Sequence, residues 1–221
     1  MEVKCDVFRF DPDSDGKARY DTYIIDAEPT ETVLDALIKV YRNFDSTLSF
    51  RFACGVVKCG ECSITVNHSP CLACEKMVES EMKIDPLPNL PLIKDLVIER
   101  RKVFDSIFKL SPQLSGMRKG KGRLQSIDPE TANHYVQLTK CFECLICQSA
   151  CPVFAEMPGK FLGPLGLLWL AQISSDPGYQ DTPHPEIESS LKMCQRCGIC
   201  SDVCPCSEDI LKLALETLEK R

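Results

Sequence analysis

The spacing of hydrophobic and polar residues divides the chain into an N-terminal part with strand patterns and a C-terminal part with helix patterns. Apolar and polar residues alternate in part from Val3 to Phe10, which predicts a β-strand. A second strand, from Tyr20 to Ile25, returns beside it across the turn sequence DPDSDGKA. Ser63 to Val66 has the composition of a further strand.

One helix is predicted within this strand-rich part, from Thr30 to Tyr41. Its apolar residues recur at helical spacing and fall on one face, namely Val33, Leu34, Leu37, Ile38 and Tyr41. Thr30 is the predicted N-cap and Glu31 lies in the first turn. Two strands, a helix, a cysteine loop and further short strands together predict a small α+β domain over residues 1–90.

Beyond residue 90 the pattern becomes helical. A proline-rich segment ends the first domain, and a connector over 91–127 follows, with a helix from about Pro91 to Leu110. Its basic loop, Met117 to Arg123, is interpreted as a solvated link, and the alternative is a docking patch for an acidic partner. Residues 128–221 form the third region, where helices separated by cysteine loops are predicted at about 128–139, 145–151, 161–174, 185–193, 198–203 and 207–220.

Composition narrows the class of protein. A net charge of −6 argues against nucleic acid as a partner, since phosphate binding requires a basic surface. The longest apolar stretch, Phe161 to Ile173, is too short to cross a bilayer and is interrupted by glycine and proline. The N-terminus has no secretory-signal pattern. These features predict a cytoplasmic protein, with a peripheral position on the cytoplasmic membrane face through partner subunits as a further option.

The 15 cysteines are the most unusual feature of the composition. Most of them stand two or three residues apart in short runs, where disulfide geometry between neighbours is difficult to meet. A disulfide framework is also untypical of a chain of this length without an export signal. Metal ligation therefore explains the cysteines better.

The first cysteine group has the spacing C-x4-C-x2-C followed by a distant fourth cysteine, which is the plant-type [2Fe–2S] pattern. Cys54, Cys59 and Cys62 supply the loop, and both Cys71 and Cys74 are available as the fourth ligand. Gly55 and Gly60 suit a loop that must wrap closely round a cluster.

Two further runs match C-x2-C-x2-C-x3-C-P without deviation and lie 53 positions apart. In two-cluster ferredoxins the fourth cysteine of each run ligates the other cluster. This rule predicts one [4Fe–4S] cluster on Cys141, Cys144, Cys147 and Cys204. It predicts a second [4Fe–4S] cluster on Cys151, Cys194, Cys197 and Cys200.

Structural zinc is the alternative to iron–sulfur clusters, because zinc also binds four thiolates. Zinc sites usually take two well-separated C-x2-C pairs, so two complete four-cysteine runs ending in Cys-Pro fit zinc poorly. Cys5, Cys71 and Cys206 are interpreted as packed residues without a ligand role. The isolated His68, His134 and His184 are interpreted in the same way.

With these residues placed, the chain resembles the iron–sulfur subunits of succinate dehydrogenase and fumarate reductase over nearly its whole length. The motifs that carry the resemblance are ETVLDALIKV, DSTLSFRFACGVVKCGECSITVN, CLAC, IKDLVIERRKVFDSIF, CFECLICQSACPVF and FLGPLGLLWLAQ. The resemblance implies a β-grasp plant-type ferredoxin domain followed by an all-α two-cluster ferredoxin-like domain. It also favours Cys74 as the fourth [2Fe–2S] ligand, because the family places that ligand in a Leu-Ala-Cys sequence, which here is Leu72, Ala73 and Cys74.

The function implied by this resemblance is electron transfer. The family's partner flavoprotein subunit carries FAD and the dicarboxylate site, and the chain would relay single electrons between that flavin and a second acceptor or donor through the [2Fe–2S] cluster and the two [4Fe–4S] clusters. No nucleophile–base pair or phosphate-binding loop is recognisable, so no catalytic residue is predicted on this chain.

Two departures from the family pattern bear on the second redox partner. Most members have a [3Fe–4S] final centre because the position of Cys197 is not cysteine, whereas here Cys197 completes a four-ligand set. Gln195 replaces a frequent histidine, and Ala155 and Glu156 stand where the family usually has tryptophan next to quinone. The predicted partner is therefore either a membrane anchor or a cysteine-rich, heterodisulfide reductase-like subunit, the latter giving the alternative function.

Overall fold

The computed structural model describes residues 1–14, 16–110, 128–175, 185–206 and 209–220. The chain divides into two compact units. The first contains Met1–Arg100 and Phe142–Ser149, and the second contains Arg101–Cys141 and Ala150–Arg221. The basic loop Met117 to Arg123 and His184 lie outside the described residues, and the domain division at residues 90 and 127 stays a prediction.

The first unit is built on a mixed five-stranded sheet of order β2-β1-β5-β3-β4, with a separate hairpin of β6 and β7. β1 and β5 are parallel, and the other neighbouring pairs of the sheet are antiparallel. Its elements are β1 (Glu2–Arg9), β2 (Arg19–Asp26), α1 (Val33–Asn43), β3 (Ser63–Val66), β4 (Ser69–Leu72), β5 (Glu81–Asp85), β6 (Leu92–Lys94) and β7 (Val97–Ile98).

The alternating pattern of β1 produces the buried face of this sheet. Val3, Cys5 and Val7 are fully buried, while the residues between them are exposed or half-buried. Cys5 is thus a small core residue, as predicted, and its burial raises the pKa of the thiol to about 11. The predicted strands at 3–10, 20–25 and 63–66 are confirmed, whereas β4 and β5 are too short and too polar to stand out in the sequence.

The predicted helix of the first unit is present, but its N-cap is Thr32 and not Thr30. The Thr32 hydroxyl accepts a hydrogen bond from the Asp35 backbone N–H at 3.2 Å, and the Asp35 carboxylate accepts one from the Thr32 backbone N–H at 2.9 Å. This reciprocal capping box satisfies two N–H groups at the start of α1, which Thr30 lies too early to do. Val33, Leu34 and Leu37 of the predicted apolar face are buried. Ile38 is only half-buried and Tyr41 is exposed, while Val40, which was not in the predicted set, is buried.

A buried ion pair between Arg9 and Asp95 joins the end of β1 to the turn between β6 and β7. Arg9 Nε donates to the Asp95 carboxylate at 3.1 Å, and both side chains are almost inaccessible to solvent. Asp95 also accepts from the backbone N–H groups of Phe10 and Ser49, each at 2.9 Å. Because every partner replaces lost water, the buried charges are accommodated.

The predicted helix from about Pro91 to Leu110 begins only at Arg100. Residues 92–98 form the β6–β7 hairpin instead, and α2 spans Arg100–Leu110. The hairpin forms here because Asp95 turns the chain with a positive φ of 46° and because its carboxylate is bound by Arg9. The periodicity of hydrophobic residues cannot reveal a turn that is stabilised by a residue 86 positions away.

The second unit is helical throughout its described part. It contains α2 beyond Arg100, then α3 (Pro129–Leu138), α5 (Pro152–Glu156), α6 (Gly163–Ser174), α7 (Pro185–Met193), α8 (Ile199–Asp202) and α9 (Asp209–Glu219), while the short α4 (Ile146–Ala150) falls mainly in the first unit. The predicted helices are confirmed to within a few residues, and α5 was not predicted. No helix in the described ranges is both long and apolar enough to cross a bilayer.

Helix α6 forms the centre of this unit and packs against α9. Leu165, Leu168 and Ala171 of α6 are at most 1% exposed, and Ala214 of α9 is fully buried. Trp169 stacks on Phe108 of α2 with ring centroids 5.3 Å apart. His134 Nε2 lies 2.9 Å from the Thr217 hydroxyl and links α3 to α9, so this histidine has a packing role.

The capping box leads to a stability prediction. Replacing Thr32 by alanine removes the side-chain acceptor at the start of α1, and we expect the free energy of unfolding to fall by about 1 kcal/mol. Anaerobic urea unfolding followed by circular dichroism measures the change. Thr30→Ala is the matched control, because Thr30 is exposed and outside the capping box; equal losses from both variants would contradict the assignment.

Candidate iron–sulfur sites

The β3–β4 hairpin places two of the predicted [2Fe–2S] ligands side by side. Cys62 directly precedes β3 and Cys74 follows β4. Ser63 pairs with Leu72, and the Ala73 backbone N–H donates to the Cys62 carbonyl at 2.9 Å, so the hairpin register continues to the cysteines. The Sγ atoms of Cys62 and Cys74 lie 3.4 Å apart.

This sulfur–sulfur distance fits two thiolates on one metal. It is far longer than a disulfide bond of about 2.05 Å. It lies close to the roughly 3.8 Å that tetrahedral geometry gives for two sulfurs at metal–sulfur distances of about 2.3 Å. Cys71, the competing residue, lies in β4 opposite Ile64, and burial raises the pKa of its thiol to about 11. Cys74 is therefore the residue that meets Cys62, and the ligand assignment itself stays a prediction.

The loop before β3 turns the remaining two cysteines toward the same place. Gly55, Val57 and Gly60 have φ values of 66°, 56° and 67°, which curl the backbone tightly. The backbone N–H groups of Val56 and Lys58 both donate to the Cys54 sulfur at 3.4 Å. These hydrogen bonds lower the pKa of Cys54 to about 7, so the thiolate that metals bind is stabilised there.

All four predicted [2Fe–2S] ligands interact through their sulfurs. Cys54 hydrogen-bonds with Cys59, Cys59 acts electrostatically on Cys62, and Cys62 contacts Cys74. Burial raises the pKa of Cys62 to about 12, so a bound metal would have to stabilise its thiolate. A thiol polarised by backbone N–H groups at Cys54 and a buried thiol at Cys62 fit a cluster that is partly shielded from water.

The predicted ligands of the second [4Fe–4S] cluster meet in the helical unit. Cys151, Cys194, Cys197 and Cys200 line a cavity of about 410 Å³ whose other walls include Phe161, Pro164 and Leu167. At roughly 30 Å³ for each water-sized group, the cavity has room for the eight atoms of a [4Fe–4S] core. Burial, followed by the charges of the other three cysteines, raises the pKa of Cys200 to about 11. The donor set and the space therefore fit the cluster.

The duplicated runs repeat in backbone conformation as well as in sequence. Glu143 and Arg196, which are equivalent residues, have φ values of 56° and 52°. Leu145 and Gly198, also equivalent, have φ values of 68° and 83°. A short helix begins just before the third cysteine of each run, α4 from Ile146 and α8 from Ile199. Each run thus adopts the same left-handed turns between its cysteines.

The predicted ligands of the first [4Fe–4S] cluster are divided between the two units. Cys144 and Cys147 are buried and belong to the first unit, and Cys141 and Cys204 are half-buried and belong to the second. Among the described residues, no three histidine, cysteine, aspartate or glutamate side chains meet at the spacing of a single metal ion. The cluster count and all three ligand sets stay predictions.

Gly60 brings the [2Fe–2S] loop into contact with the segment that carries Cys144. A Cβ atom at Gly60 would lie 2.7 Å from the Phe142 carbonyl oxygen and 2.9 Å from Cys144 Cβ. The Lys58 ammonium also lies 5.8 Å from the centre of the Phe142 ring, a cation–π distance. The two cysteine loops are therefore packed backbone against backbone within the first unit.

Sequence reasoning missed the parts of these sites that are not cysteine. Nothing in the sequence indicates that the backbone N–H groups of Val56 and Lys58 donate to a cysteine sulfur. The left-handed conformation is equally hidden at Val57, Glu143 and Arg196, since glycine is the usual indicator of positive φ. Only the equivalence of Glu143 and Arg196 within the repeat could have indicated a shared conformation.

Comparison with known proteins agrees with this organisation. Residues 4–105 match the family model of the 2Fe-2S iron-sulfur cluster binding domain, and residues 137–208 match that of the 4Fe-4S dicluster domain. The chain is therefore made of these two kinds of domain. With them, the predicted fold class is confirmed: an α+β ferredoxin domain followed by an all-α two-cluster domain.

Among curated proteins, the chain is 31% identical to a CoM/CoB fumarate reductase subunit of Methanothermobacter marburgensis over 98% of its own length. It spans only 43% of that relative. It is 29% identical to the fumarate reductase iron-sulfur subunit of Escherichia coli O157:H7, over 92% of this chain and 86% of that protein.

Among solved structures, a chain of the Mycobacterium smegmatis Sdh1 complex in the apo form superposes with a TM-score of 0.82 and 24% identity. The match covers 100% of this chain and 95% of that one. The fold is thus shared over the full length of both domains.

The contact at Gly60 leads to a prediction. Gly60→Ala places a Cβ against the Phe142 carbonyl and forces the two loops apart, so we expect a loss of about 1–3 kcal/mol in the free energy of unfolding beyond that of Gly55→Ala. Gly55 is the matched control, since its φ is nearly the same and a Cβ there meets nothing within 4 Å. Anaerobic urea unfolding measures both variants, and indistinguishable losses would show that the loops are not in contact.

Proposed function

We propose that this chain, which belongs to the family of iron–sulfur subunits of succinate dehydrogenase and fumarate reductase, relays single electrons between a flavoprotein subunit and a second redox partner. The observation that carries the proposal is the convergence of cysteines in two separate places, one beside the β3–β4 hairpin and one in the cavity of the helical unit. Clusters at these two places, with Cys141, Cys144 and Cys147 of a third ligand set between them in sequence, would form a relay, because electrons could enter at one end of the series and leave at the other.

When bound, each cluster accepts and releases one electron. The proposed [2Fe–2S] ligands are Cys54, Cys59, Cys62 and Cys74. The proposed ligands of the first [4Fe–4S] cluster are Cys141, Cys144, Cys147 and Cys204. The proposed ligands of the second are Cys151, Cys194, Cys197 and Cys200. The protein's contribution beyond these thiolates is to hold them in place and to tune their charge, as the N–H groups of Val56 and Lys58 do at Cys54.

The chain itself carries no catalytic residue in this proposal. The chemistry takes place on a partner flavoprotein subunit that holds FAD and a dicarboxylate site, by analogy with the fumarate reductase subunits that the chain is similar to. The second partner is a membrane anchor or a cysteine-rich subunit. An anchor would place the chain peripherally at the cytoplasmic face of the membrane.

A second candidate is electron transfer to a thiol or disulfide partner of the heterodisulfide reductase type. Two observations favour it. Gln195, which lines the same cavity as the proposed ligands of the second [4Fe–4S] cluster, replaces the histidine that the family often has near quinone. The relative from Methanothermobacter marburgensis is a CoM/CoB fumarate reductase subunit, of which this chain matches less than half.

The dicarboxylate proposal is tested on the complex that co-purifies with this chain. We expect a flavin-containing subunit in it, and we expect fumarate to reoxidise the dithionite-reduced clusters, as followed by visible absorption. Malonate, which resembles the substrate but accepts no electrons, is the control. Reoxidation by a disulfide and not by fumarate would replace the first candidate by the second, and a partner without flavin would contradict both.

The role of Cys197 is tested by Cys197→Ala. We expect about ten irons in the wild-type chain, from two in the [2Fe–2S] cluster and four in each [4Fe–4S] cluster, without an EPR signal of oxidised [3Fe–4S]. Cys197→Ala should lose about one iron and show that signal, because one iron lacks its protein ligand. Cys206→Ala is the matched control, since Cys206 has no proposed ligand role. A strong [3Fe–4S] signal in undamaged wild-type protein would refute the assignment.

A further inference from the structure

Arg100 joins the two cysteine loops of the first unit. Its Nη1 donates to the Gly60 carbonyl at 3.1 Å and its Nη2 donates to the Glu143 carbonyl at 2.6 Å. The guanidinium suits this bridge because it presents several N–H donors in one rigid plane. One side chain thus binds the backbone on both sides of the contact that Gly60 makes.

The two carbonyls belong to residues adjacent to proposed ligands of different clusters. Gly60 follows Cys59 of the [2Fe–2S] set, and Glu143 precedes Cys144 of the first [4Fe–4S] set. A continuous series of covalent and hydrogen bonds therefore runs from Cys59 through Arg100 to Cys144. It is a direct protein connection between the two ligand sets.

Arg100 is also a buried positive charge, with 9% of its surface exposed. Its Nε lies 3.8 Å from the Glu61 carboxylate. Burying a guanidinium is unfavourable unless hydrogen bonds replace its water, and an apolar residue would fill the same space at lower cost. The two carbonyl acceptors and the Glu61 carboxylate supply such partners, so the positive charge is held in place beside both loops.

We infer that Arg100 is a positioning residue for electron transfer between the [2Fe–2S] centre and the first [4Fe–4S] centre, and that its charge raises the reduction potential of both. The inference rests on the ligand sets proposed above. The step moves one electron from one centre to the other, with no bond made or broken.

Two physical effects lead to this role. Electron transfer between fixed centres falls steeply with their separation, so a bridge that fixes the spacing of the two loops preserves the rate. The reduced form of each centre carries one more negative charge than the oxidised form, so a fixed positive charge nearby stabilises reduction. None of the proposed ligands of the second [4Fe–4S] centre is adjacent in sequence to Gly60 or Glu143, so that centre lies outside this series of bonds.

The test uses Arg100→Met, which removes the charge and the donors, and Arg100→Lys, which keeps the charge and loses the planar bridge. Arg101→Met is the matched control, because the Arg101 side chain is 89% exposed. The full chain in its native complex is examined anaerobically by iron content, EPR-monitored redox titration and the rate of electron transfer between centres after flash reduction.

We expect all variants to keep about ten irons. Arg100→Met should lower the midpoint potentials of the [2Fe–2S] and first [4Fe–4S] centres, leave that of the second unchanged, and slow transfer between the first two by roughly tenfold or more. Arg100→Lys should restore the potentials but not the full rate. Arg101→Met should match the wild type.

Potentials and rates in Arg100→Met equal to those in Arg101→Met would overturn the inference and leave the proposed function intact. Loss of iron from both Arg100 variants would also overturn it, since Arg100 would then serve folding of the loops. A wild-type chain without [2Fe–2S] and [4Fe–4S] signals would refute the proposed ligand sets, and the inference with them.

Discussion

The structure depends on one geometric constraint: a few residues of backbone must turn three cysteine side chains toward a common point. Each cysteine loop contains residues in the left-handed conformation, which turn the chain sharply over a short distance. Glycine accepts this conformation freely at Gly55, Gly60 and Gly198, whereas Glu143 and Arg196 each carry a cost of roughly 1–2 kcal/mol. Such strain persists only where surrounding contacts enforce it, and it is typical of functional sites. The strained residues therefore indicate that these loops hold a ligand.

The rest of the first unit supports the position of its cysteine loop. The buried Arg9 also donates to the Asp45 carboxylate and to the Thr47 hydroxyl, in the segment that leads from α1 into the loop. Burial alone would raise the pKa of Asp45, but hydrogen bonds from Thr47, Arg9 and Tyr23 outweigh it and hold that pKa well below its usual value. Because its folded-state pKa is depressed, Asp45 contributes stability above about pH 4 that is lost as the pH falls further. The loop is thus anchored at its start by charges and at its end by the β3–β4 hairpin.

The two duplicated cysteine runs differ in what they pack against. In sequence, both runs belong to one helical region, and their shared left-handed turns agree with a duplication. In the structure, the segment Phe142–Ser149 of the first run packs with the sheet unit, through Gly60, Arg100 and the bond from the Asn89 amide to the Ser149 carbonyl. The first run therefore packs partly with the sheet of the first unit, whereas the second run lines a cavity within the helical unit.

By itself, the sequence determined the cluster classes, the two kinds of domain and most of the helices, because cysteine spacing and apolar periodicity are local properties that a fold must respect. It did not determine the cap of α1, where Thr30 and Thr32 are both suitable residues and only the position of Asp35 decides. It gave no indication of the hairpin at 92–98, whose turn is bound by Arg9 at the end of β1. Only the tertiary structure showed that Gly60, Arg100 and Glu143 meet, since a hydrogen bond across 40 or more residues leaves no periodic trace in a single sequence.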